Sequence, residues 1–220
     1  MYHFIEDKDF LKNMRGLCSN IVNQLVQAIN NDDELVVEAH LVGSGARGLE
    51  TQNANEPVDL DYNLNVVNFK QKELKNLSES SIKEYVRKMF NKVLIYNGWA
   101  DCQDSTSCLT TKKRHFTQGN KTEFSIDLAI VHENPDGTWY RLIHEKTGIV
   151  SNDRWYWNEA PHSRGLKQKM EKLKSNNLWE EVRETYLDKK NMYLSRRDYN
   201  HPSFNCYIEA VNEVYSKYLK

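Results

Sequence analysis

Two short segments of this sequence alternate strictly between apolar and polar residues, and each carries aspartate among its polar residues. The first, 58–64, reads VDLDYNL, and the second, 124–130, reads FSIDLAI. Side chains on a strand point alternately to its two faces, so each segment predicts a strand with one buried face. The carboxylates of Asp59, Asp61 and Asp127 then project from the opposite face. If the two strands are neighbours, the three carboxylates converge on one side of a sheet.

Converging carboxylates predict a metal site. Without a counter-charge, three of them repel one another and shift one another's pKa values. A bound divalent cation removes this repulsion, and ligands that are all oxygen suit Mg²⁺ or Mn²⁺. Aspartate is disfavoured in strands, so the pair Asp59 and Asp61 beside a core face favours metal binding. The alternative is that both residues face solvent on an edge strand.

A glycine-rich turn precedes the first of these segments. Residues 41–48 read LVGSGARG, an apolar strand end that runs into what we call the glycine turn, Gly43 to Gly48. Glycine lets the backbone approach a ligand closely, and free N–H groups at a helix start bind phosphate. Together with the carboxylates, the turn predicts metal-assisted chemistry on a nucleoside triphosphate. Taken alone, Gly43 and Ser44 are more simply an ordinary tight turn.

The order of these motifs resembles the signature of a known superfamily. The glycine turn, the pair Asp59 and Asp61, and the single Asp127 resemble the DNA polymerase β-like nucleotidyltransferases in a minimal bacterial form. That superfamily includes aminoglycoside and lincosamide adenylyltransferases, poly(A) and CCA-adding enzymes, and oligoadenylate synthetases. The matching motifs lie within residues 35–131. One departure is the 14 residues between Ser44 and Asp59, somewhat more than is usual in the superfamily.

The resemblance implies a fold, an activity and roles for these residues. The implied fold is α/β (α+β), with a mixed sheet of the polymerase β-like nucleotidyltransferase type, flanking helices and a helical C-terminal third. Gly43 and Ser44 are expected to contact the triphosphate of ATP or another NTP. Asp59 and Asp61 are expected to hold two Mg²⁺ ions, with Mn²⁺ as a substitute. Asp127 is expected to hold the catalytic ion and to orient the acceptor hydroxyl.

A lysine-rich helix near the C-terminus supplies further candidates. Residues 163–174 show helical spacing, with lysines on one side and apolar residues on the other. A solvated lysine face is the default interpretation. The resemblance implies instead that one lysine reaches the triphosphate from a helix behind the active-site strands. Lys167 and Lys169 are the candidates for this nucleotide-binding role.

The hydrophobic spacing elsewhere predicts an α/β first two-thirds and a helical last third. Helices are expected over 4–30, 78–99, 163–174, 178–194 and 202–218, and strands over 34–42, 58–64, 124–132 and 138–143, with a weak strand pattern over 100–116. We expect a nucleotidyltransferase core over residues 1–150 and a helical segment over residues 151–220 that packs on it.

Composition is that of an ordinary soluble protein and excludes few functions, and we expect a cytoplasmic location with reduced thiols. The 30 Lys and Arg residues against 31 Asp and Glu give a net charge of -1, which argues against long nucleic acid as a partner. The cysteines lack metal-binding spacing, and no apolar run approaches the roughly 20 residues that span a bilayer. Residues 1–9 are polar and do not resemble a signal peptide. His132, His144 and His162 lack ligand spacing, and we expect surface or capping roles for most histidines.

An aromatic segment over 154–164 combines three aromatic residues, two arginines and a histidine. Aromatic rings stack on bases and arginine binds phosphate, so the segment is a candidate substrate surface. The simpler interpretation of Trp155 and Trp157 is that they anchor the helical part of the chain to the sheet.

Three functions remain open on these residues. The first is an enzyme that transfers a nucleoside monophosphate from an NTP to a hydroxyl acceptor and releases pyrophosphate, the acceptor being a small molecule, a protein side chain or an RNA end. The second is a non-catalytic nucleotide-binding protein that acts as a regulatory or toxin–antitoxin-like partner. The third is a structural interaction protein whose carboxylates bind a stabilising cation. The presence of all three carboxylates favours the first.

Overall fold

The computed structural model of the protein divides the chain into two compact units. The residues it describes are 1–32, 34–69, 78–160, 165–199 and 201–220. The first unit, here called the sheet unit, comprises Asp7–Gly48 and Pro57–Ala160. The second, here called the helical unit, comprises Met1–Glu6, Leu49–Glu56 and Pro161–Lys220.

The mixed α/β class expected from the sequence is confirmed. In chain order the elements are β1 (Tyr2–Phe4), α1 (Lys8–Asn31), β2 (Leu35–Leu41), α2 (Gly43–Arg47), β3 (Thr51–Asn53), β4 (Val58–Phe69), α3 (Glu79–Tyr96), β5 (Gln103–Asp104), β6 (Leu109–Thr110), β7 (Phe124–Glu133), β8 (Trp139–Glu145), β9 (Arg154–Glu159), α4 (Leu166–Ser175), α5 (Trp179–Ser195) and α6 (Ser203–Tyr218). Most ends lie within a few residues of those expected, and Pro161 to Arg164 fall outside the described residues.

The sheet unit is built on a mixed sheet in which the two aspartate-bearing strands are neighbours. Its strand order is β2-β4-β7-β6-β5, and β8 pairs with a later stretch of β7 and with β9. β4 and β7 run parallel, whereas the other described neighbours in this sheet are antiparallel. The register places Asp61 opposite Asp127, and Asp59 opposite Ser125.

The apolar face of this sheet packs against α1 and α3. Leu60 and Leu128 are fully buried on this face, as the alternating pattern predicts. The Phe10 ring of α1 meets the Phe124 ring edge-on at a centroid distance of 6.2 Å. Trp99, just beyond α3, meets the same ring at 6.4 Å. Burial of these side chains drives the helices onto the sheet, which leaves the opposite face to the aspartates.

The first helix begins later than the spacing predicts. It was expected from Phe4, but α1 begins at Lys8 because Asp7 caps it: the Asp7 carboxylate accepts a hydrogen bond from Phe10 N at 2.9 Å. An aspartate at this position satisfies a backbone N–H that the first turn leaves unpaired. Phe4 instead lies in β1, which pairs with β3 in the helical unit.

The helical unit has its own core. Its fully or nearly fully buried side chains are Leu49, Leu173, Val182, Tyr186, Cys206, Tyr207, Ala210, Val211 and Val214. The guanidinium of Arg183 lies 4.2 Å from the Phe4 ring, which ties β1 to α5.

The expected boundary between residues 1–150 and 151–220 remains a prediction about folding units. Within the described ranges, no helix is both long and apolar enough to cross a bilayer.

Candidate active site

The three aspartates singled out in the sequence lie on one face of two adjacent strands. Asp59 and Asp61 belong to β4, and Asp127 belongs to β7 in register with Asp61. Residues paired in this way on neighbouring strands share a face, so the carboxylates project away from the side that α1 and α3 cover. Asp59 is exposed, whereas Asp61 and Asp127 are half-buried. Asp61 therefore stands beside both other carboxylates.

The pKa of Asp61 reflects both the burial of this residue and its closeness to the other two carboxylates. Burial, reinforced by the carboxylates of Asp127 and Asp59, raises the pKa of Asp61 to about 6. The positive charges of Arg141 and Arg47 lower it, but not enough to offset these effects. The site holds negative charge that the surrounding side chains leave uncompensated.

Hydroxyl groups orient the other two carboxylates. Thr110 Oγ1 donates a hydrogen bond to Asp127 Oδ1 at 2.6 Å, and the Ser125 hydroxyl donates to Asp59 Oδ1. Burial raises the pKa of Asp127, and the hydrogen bond from Thr110 acts in the opposite direction. A hydrogen bond to a carboxylate is charge-assisted and restricts its rotation. The sequence analysis did not single out Thr110, because its partner Asp127 lies 17 residues further along the chain on a different strand.

The glycine turn approaches Asp61 closely. Gly43 begins α2 with φ of +64°, a conformation that side chains disfavour, and a Cβ on Gly43 would collide with the Asp61 carboxylate. Val42 N donates to Asp61 O at 2.8 Å, and Arg47 Nη1 donates to Gly43 O at 2.5 Å. The Asp61 carboxylate lies so close to the backbone here that only glycine fits at position 43. Contact of Gly43 and Ser44 with a triphosphate remains a prediction.

The donor set suits a hard cation, although the side chains are not arranged around one. Among the described residues, no group of three or more His, Cys, Asp or Glu side chains is placed so that it could hold a metal ion as it stands. The donors of Asp59, Asp61 and Asp127 are nevertheless all oxygen, and Arg141 and Arg47 only partly offset the effects that raise the pKa of Asp61. These are the properties that favour Mg²⁺ or Mn²⁺. The ligand roles remain predictions.

The two candidate lysines lie on α4 in the helical unit. Lys169 Nζ donates to Asn212 Oδ1 at 2.6 Å and lies 5.7 Å from the centre of the Tyr215 ring. Lys167 is exposed. These contacts give Lys169 a structural partner within its own unit, and a role for either lysine in binding a triphosphate remains a prediction.

The surface or capping role expected for most histidines is wrong for His144. Its ring is buried, with 7% of the residue exposed, and its Nδ1 and Nε2 atoms lie 2.6 Å from Asp104 and 3.0 Å from Asp153. The Trp155 ring stacks on it at a centroid distance of 4.2 Å. Asp104 lies 40 residues and Asp153 nine residues from His144 in sequence, and neither separation is a recognisable ligand spacing. Trp157 likewise packs against a histidine of the sheet, His132, at 5.4 Å.

Comparison with solved structures assigns the fold. The chain matches Vibrio cholerae DncV in its 3′-deoxy GTP bound form with a TM-score of 0.63, at 11% identity over 96% of this chain and 67% of that one. The fold is that of a polymerase β-like nucleotidyltransferase. The fold that the resemblance of the glycine turn and the aspartates implies is thereby confirmed.

Two other solved structures agree with this assignment of the nucleotidyltransferase fold. E. coli MS115-1 CdnC with ATP matches with a TM-score of 0.55, at 14% identity over 92% of this chain and 60% of that one. The Elizabethkingia meningoseptica CdnE cyclic dinucleotide synthase with GTP and Apcpp matches at 0.50, with 12% identity over 88% and 68%. The chain thus spans about 60–68% of the length of these proteins. No protein-family model and no curated protein matches the sequence.

Proposed function

We propose that this protein is a metal-dependent nucleotidyltransferase, which transfers a nucleoside monophosphate from an NTP to a hydroxyl acceptor and releases pyrophosphate. One observation carries the proposal: within a nucleotidyltransferase fold, Asp61 and Asp127 stand opposite each other on parallel strands and Asp59 lies on the same face. The raised pKa of Asp61 supports it, because a site that concentrates negative charge is suited to bind a cation.

The three carboxylates would hold two Mg²⁺ ions. When bound, these ions would neutralise phosphate charge and make the acceptor hydroxyl more acidic. The chain's own contribution is to present its oxygen ligands in fixed orientations. Ser125 and Thr110 do so for Asp59 and Asp127 through their hydrogen bonds. Partners of this kind orient metal ligands and raise their affinity.

The reaction needs positioning more than covalent participation by the protein. The acceptor oxygen forms a bond to the α-phosphorus while the bond from that phosphorus to the bridging oxygen breaks, and pyrophosphate leaves. We assign orientation of the acceptor hydroxyl to Asp127, and contact with the triphosphate to Gly43 and Ser44. Lys167 and Lys169 are the candidates for an additional triphosphate contact. Holding both reactants in line supplies much of the rate.

The activities named for two structural neighbours support one class of acceptor. CdnE is a cyclic dinucleotide synthase, and DncV is a cyclic AMP-GMP synthase. A cyclic dinucleotide contains bonds between the hydroxyl of one nucleotide and the phosphate of the other. We therefore place a nucleotide hydroxyl first among the acceptors, ahead of other small molecules, a protein side chain or an RNA end.

Incubation of the protein with each α-³²P-labelled NTP, singly and in pairs, tests the proposal. The reactions contain Mg²⁺ or Mn²⁺, and products are separated with and without added cell extract. We expect pyrophosphate release and transfer of label to a nucleotide product. Label in a protein or RNA fraction would redirect the acceptor assignment. NTP binding without pyrophosphate release would instead support the non-catalytic nucleotide-binding partner.

A further inference from the structure

The short hairpin of β5 and β6 connects the aspartate face of the sheet to its buried face. On β6, Thr110 lies opposite Asp127, and its hydroxyl donates to the Asp127 carboxylate at 2.6 Å. On β5, Asp104 pairs with Leu109, whose side chain is fully buried. Paired residues share a face, so Asp104 projects toward the helix-covered side. One hairpin thus contacts both the proposed active site and the interior of the sheet unit.

Asp104 lies at the centre of a buried ionic cluster. Lys83 Nζ, from α3, is 2.7 Å from Asp104 Oδ1, and His144 Nδ1 is 2.6 Å from Asp104 Oδ2. The other ring nitrogen of His144 faces Asp153 Oδ2 at 3.0 Å, so the ring can donate to both carboxylates only in its protonated form. Lys83 is 3% exposed. A charge buried to this degree is costly unless paired, so the cluster favours one placement of the hairpin.

Three hydrogen bonds, joined through the covalent structure of Ser105, link this cluster to Asp127. Lys83 Nζ donates to the Ser105 carbonyl at 2.7 Å, and the Ser105 and Thr110 hydroxyl oxygens are 3.1 Å apart. Thr110 has a single hydroxyl hydrogen and gives it to Asp127, so Ser105 is the donor to Thr110. The path therefore runs from Lys83 through Ser105 and Thr110 to the carboxylate.

β6 is held by its pairing with β7, so β5 is the part of the hairpin that depends most on contacts outside the sheet. β5 and β6 are two residues each, and strands this short make few ladder hydrogen bonds with each other. His144 N donates to Thr106 O at 2.7 Å. The residue whose ring belongs to the ionic cluster therefore also fixes, through its backbone, the loop between the two strands. The ionic cluster and the loop contact hold the hairpin, and Thr110 contacts Asp127 from the opposite face of the hairpin.

We propose that Thr110 is a positioning residue for Asp127, and that the cluster of Lys83, Asp104 and His144 fixes the hairpin that carries it. This inference rests on the proposed nucleotidyltransferase function. The Thr110 hydroxyl restricts the rotation of the Asp127 carboxylate, so that this side chain has less freedom to lose when a cation and an acceptor bind. Loss of a partner of this kind typically lowers metal affinity or activity about 10- to 100-fold.

A matched pair of variants tests the role of Thr110. Thr110→Val keeps the shape and removes the hydroxyl, whereas Thr110→Ser keeps the hydroxyl. We expect Thr110→Val to weaken Mn²⁺ binding, titrated by electron paramagnetic resonance, by about 10-fold or more. We also expect a lower kcat with little change in the KM for NTP, and recovery of both properties in Thr110→Ser. Mn²⁺ affinity and kcat at wild-type level in Thr110→Val would overturn the proposal.

A double-mutant cycle tests the role of the cluster. Asp104→Asn should lower Mn²⁺ affinity as Thr110→Val does. The double variant should bind Mn²⁺ no more weakly than whichever single variant has the lower affinity. Asp136→Asn, at the exposed turn between β7 and β8, is the control and should match wild type. Additive losses would overturn the claim that the cluster acts through Thr110. If Asp104→Asn does not fold, Lys83→Met takes its place in the cycle, and the Thr110 pair still decides the central claim.

The same measurements separate failure of this inference from failure of the proposed function. A wild-type protein that neither binds Mn²⁺ nor releases pyrophosphate contradicts the proposed function. An active wild type with an equally active Thr110→Val variant contradicts the positioning role alone.

Discussion

At the scale of single residues, the aspartates were predictable and the groups that orient them were not. Alternation within seven residues is a local property, so it places Asp59, Asp61 and Asp127 on one strand face without knowledge of the fold. Thr110 and Ser125 reach their carboxylates across strands that are 17 and 66 residues away in sequence. Nothing local to a threonine or serine announces such a partner.

The raised pKa of Asp61 predicts a stability change with pH. Its ordinary value of 3.8 is raised to about 6 in the folded protein, so the folded state binds this proton more tightly than the unfolded state does. In metal-free protein, the free energy of unfolding should therefore fall as pH rises from about 4 to 6 and then level off. Above pH 6, the ionised Asp61 lowers the free energy of unfolding by at most about 3 kcal/mol.

Asp61→Asn removes this titration. In EDTA at pH 7.5 the variant should be at least as stable as wild type, and Mg²⁺ should raise its melting temperature less than it raises that of wild type. Thermal melts of both proteins, in EDTA and in Mg²⁺ and across pH 4–8, provide the test. A variant that is clearly less stable in EDTA would show that Asp61 is a structural hydrogen-bond acceptor rather than a crowded carboxylate.

Gly43 and Gly48 have nearly the same backbone conformation, so substituting each of them isolates the effect of the close approach to Asp61. Gly43 and Gly48 have φ of +64° and +67°, but a Cβ on Gly43 would collide with Asp61, whereas a Cβ on Gly48 would meet no atom within 4 Å. Each alanine substitution costs about 1 kcal/mol or more in backbone strain. Gly43→Ala should in addition displace the Asp61 carboxylate and lower kcat/KM for NTP well below that of Gly48→Ala. Equal kcat/KM values would show that the close approach at Gly43 does not serve the reaction.

At the scale of elements, the strongly periodic segments were predicted well and the short ones poorly. α3 was expected from Ser78, and Ser78 indeed caps it by accepting a hydrogen bond from Ser81 N at 3.3 Å. β5 and β6 were expected only as a weak pattern over 100–116, because two residues carry no periodicity. The hairpin that reaches Asp127 therefore emerges from tertiary contacts and not from local sequence.

A second pair of glycines tests how α2 is held against β4. A Cβ on Gly45 would lie 2.9 Å from Leu60 Cδ2 and 3.3 Å from Leu41 Cδ1, whereas a Cβ on Gly16, on the exposed side of α1, would meet no atom within 4 Å. Gly45→Ala should destabilise the protein by about 1 kcal/mol through overpacking. Gly16→Ala should stabilise it by about 0.5–1 kcal/mol through helix propensity. Urea unfolding of both variants gives the two changes, and a stable Gly45→Ala variant would show that α2 is not tightly packed.

At the scale of the whole molecule, the class and the site-bearing sheet were accessible from sequence, while the place of Met1–Glu6 in the helical unit was not. The grouping of Met1–Glu6 with the helical unit depends on pairing of β1 with β3, each three residues long. Strands of this length leave no alternation to detect. The nucleotidyltransferase fold was recognisable because the glycine turn, the aspartate pair and Asp127 follow one another along the chain in the order typical of that fold.

Pyrophosphate release by wild type and by the three variants Asp59→Asn, Asp61→Asn and Asp127→Asn tests the central claim most directly. The assay contains Mg²⁺ and the NTP or NTP pair that gives the most label transfer, with circular dichroism to verify folding of each variant. Because each carboxylate lies off the core face, we expect all three variants to fold and to lose release at least about 100-fold. A folded variant that releases pyrophosphate at nearly the wild-type rate would contradict the metal-binding role assigned to that aspartate, and three such variants would contradict the account as a whole.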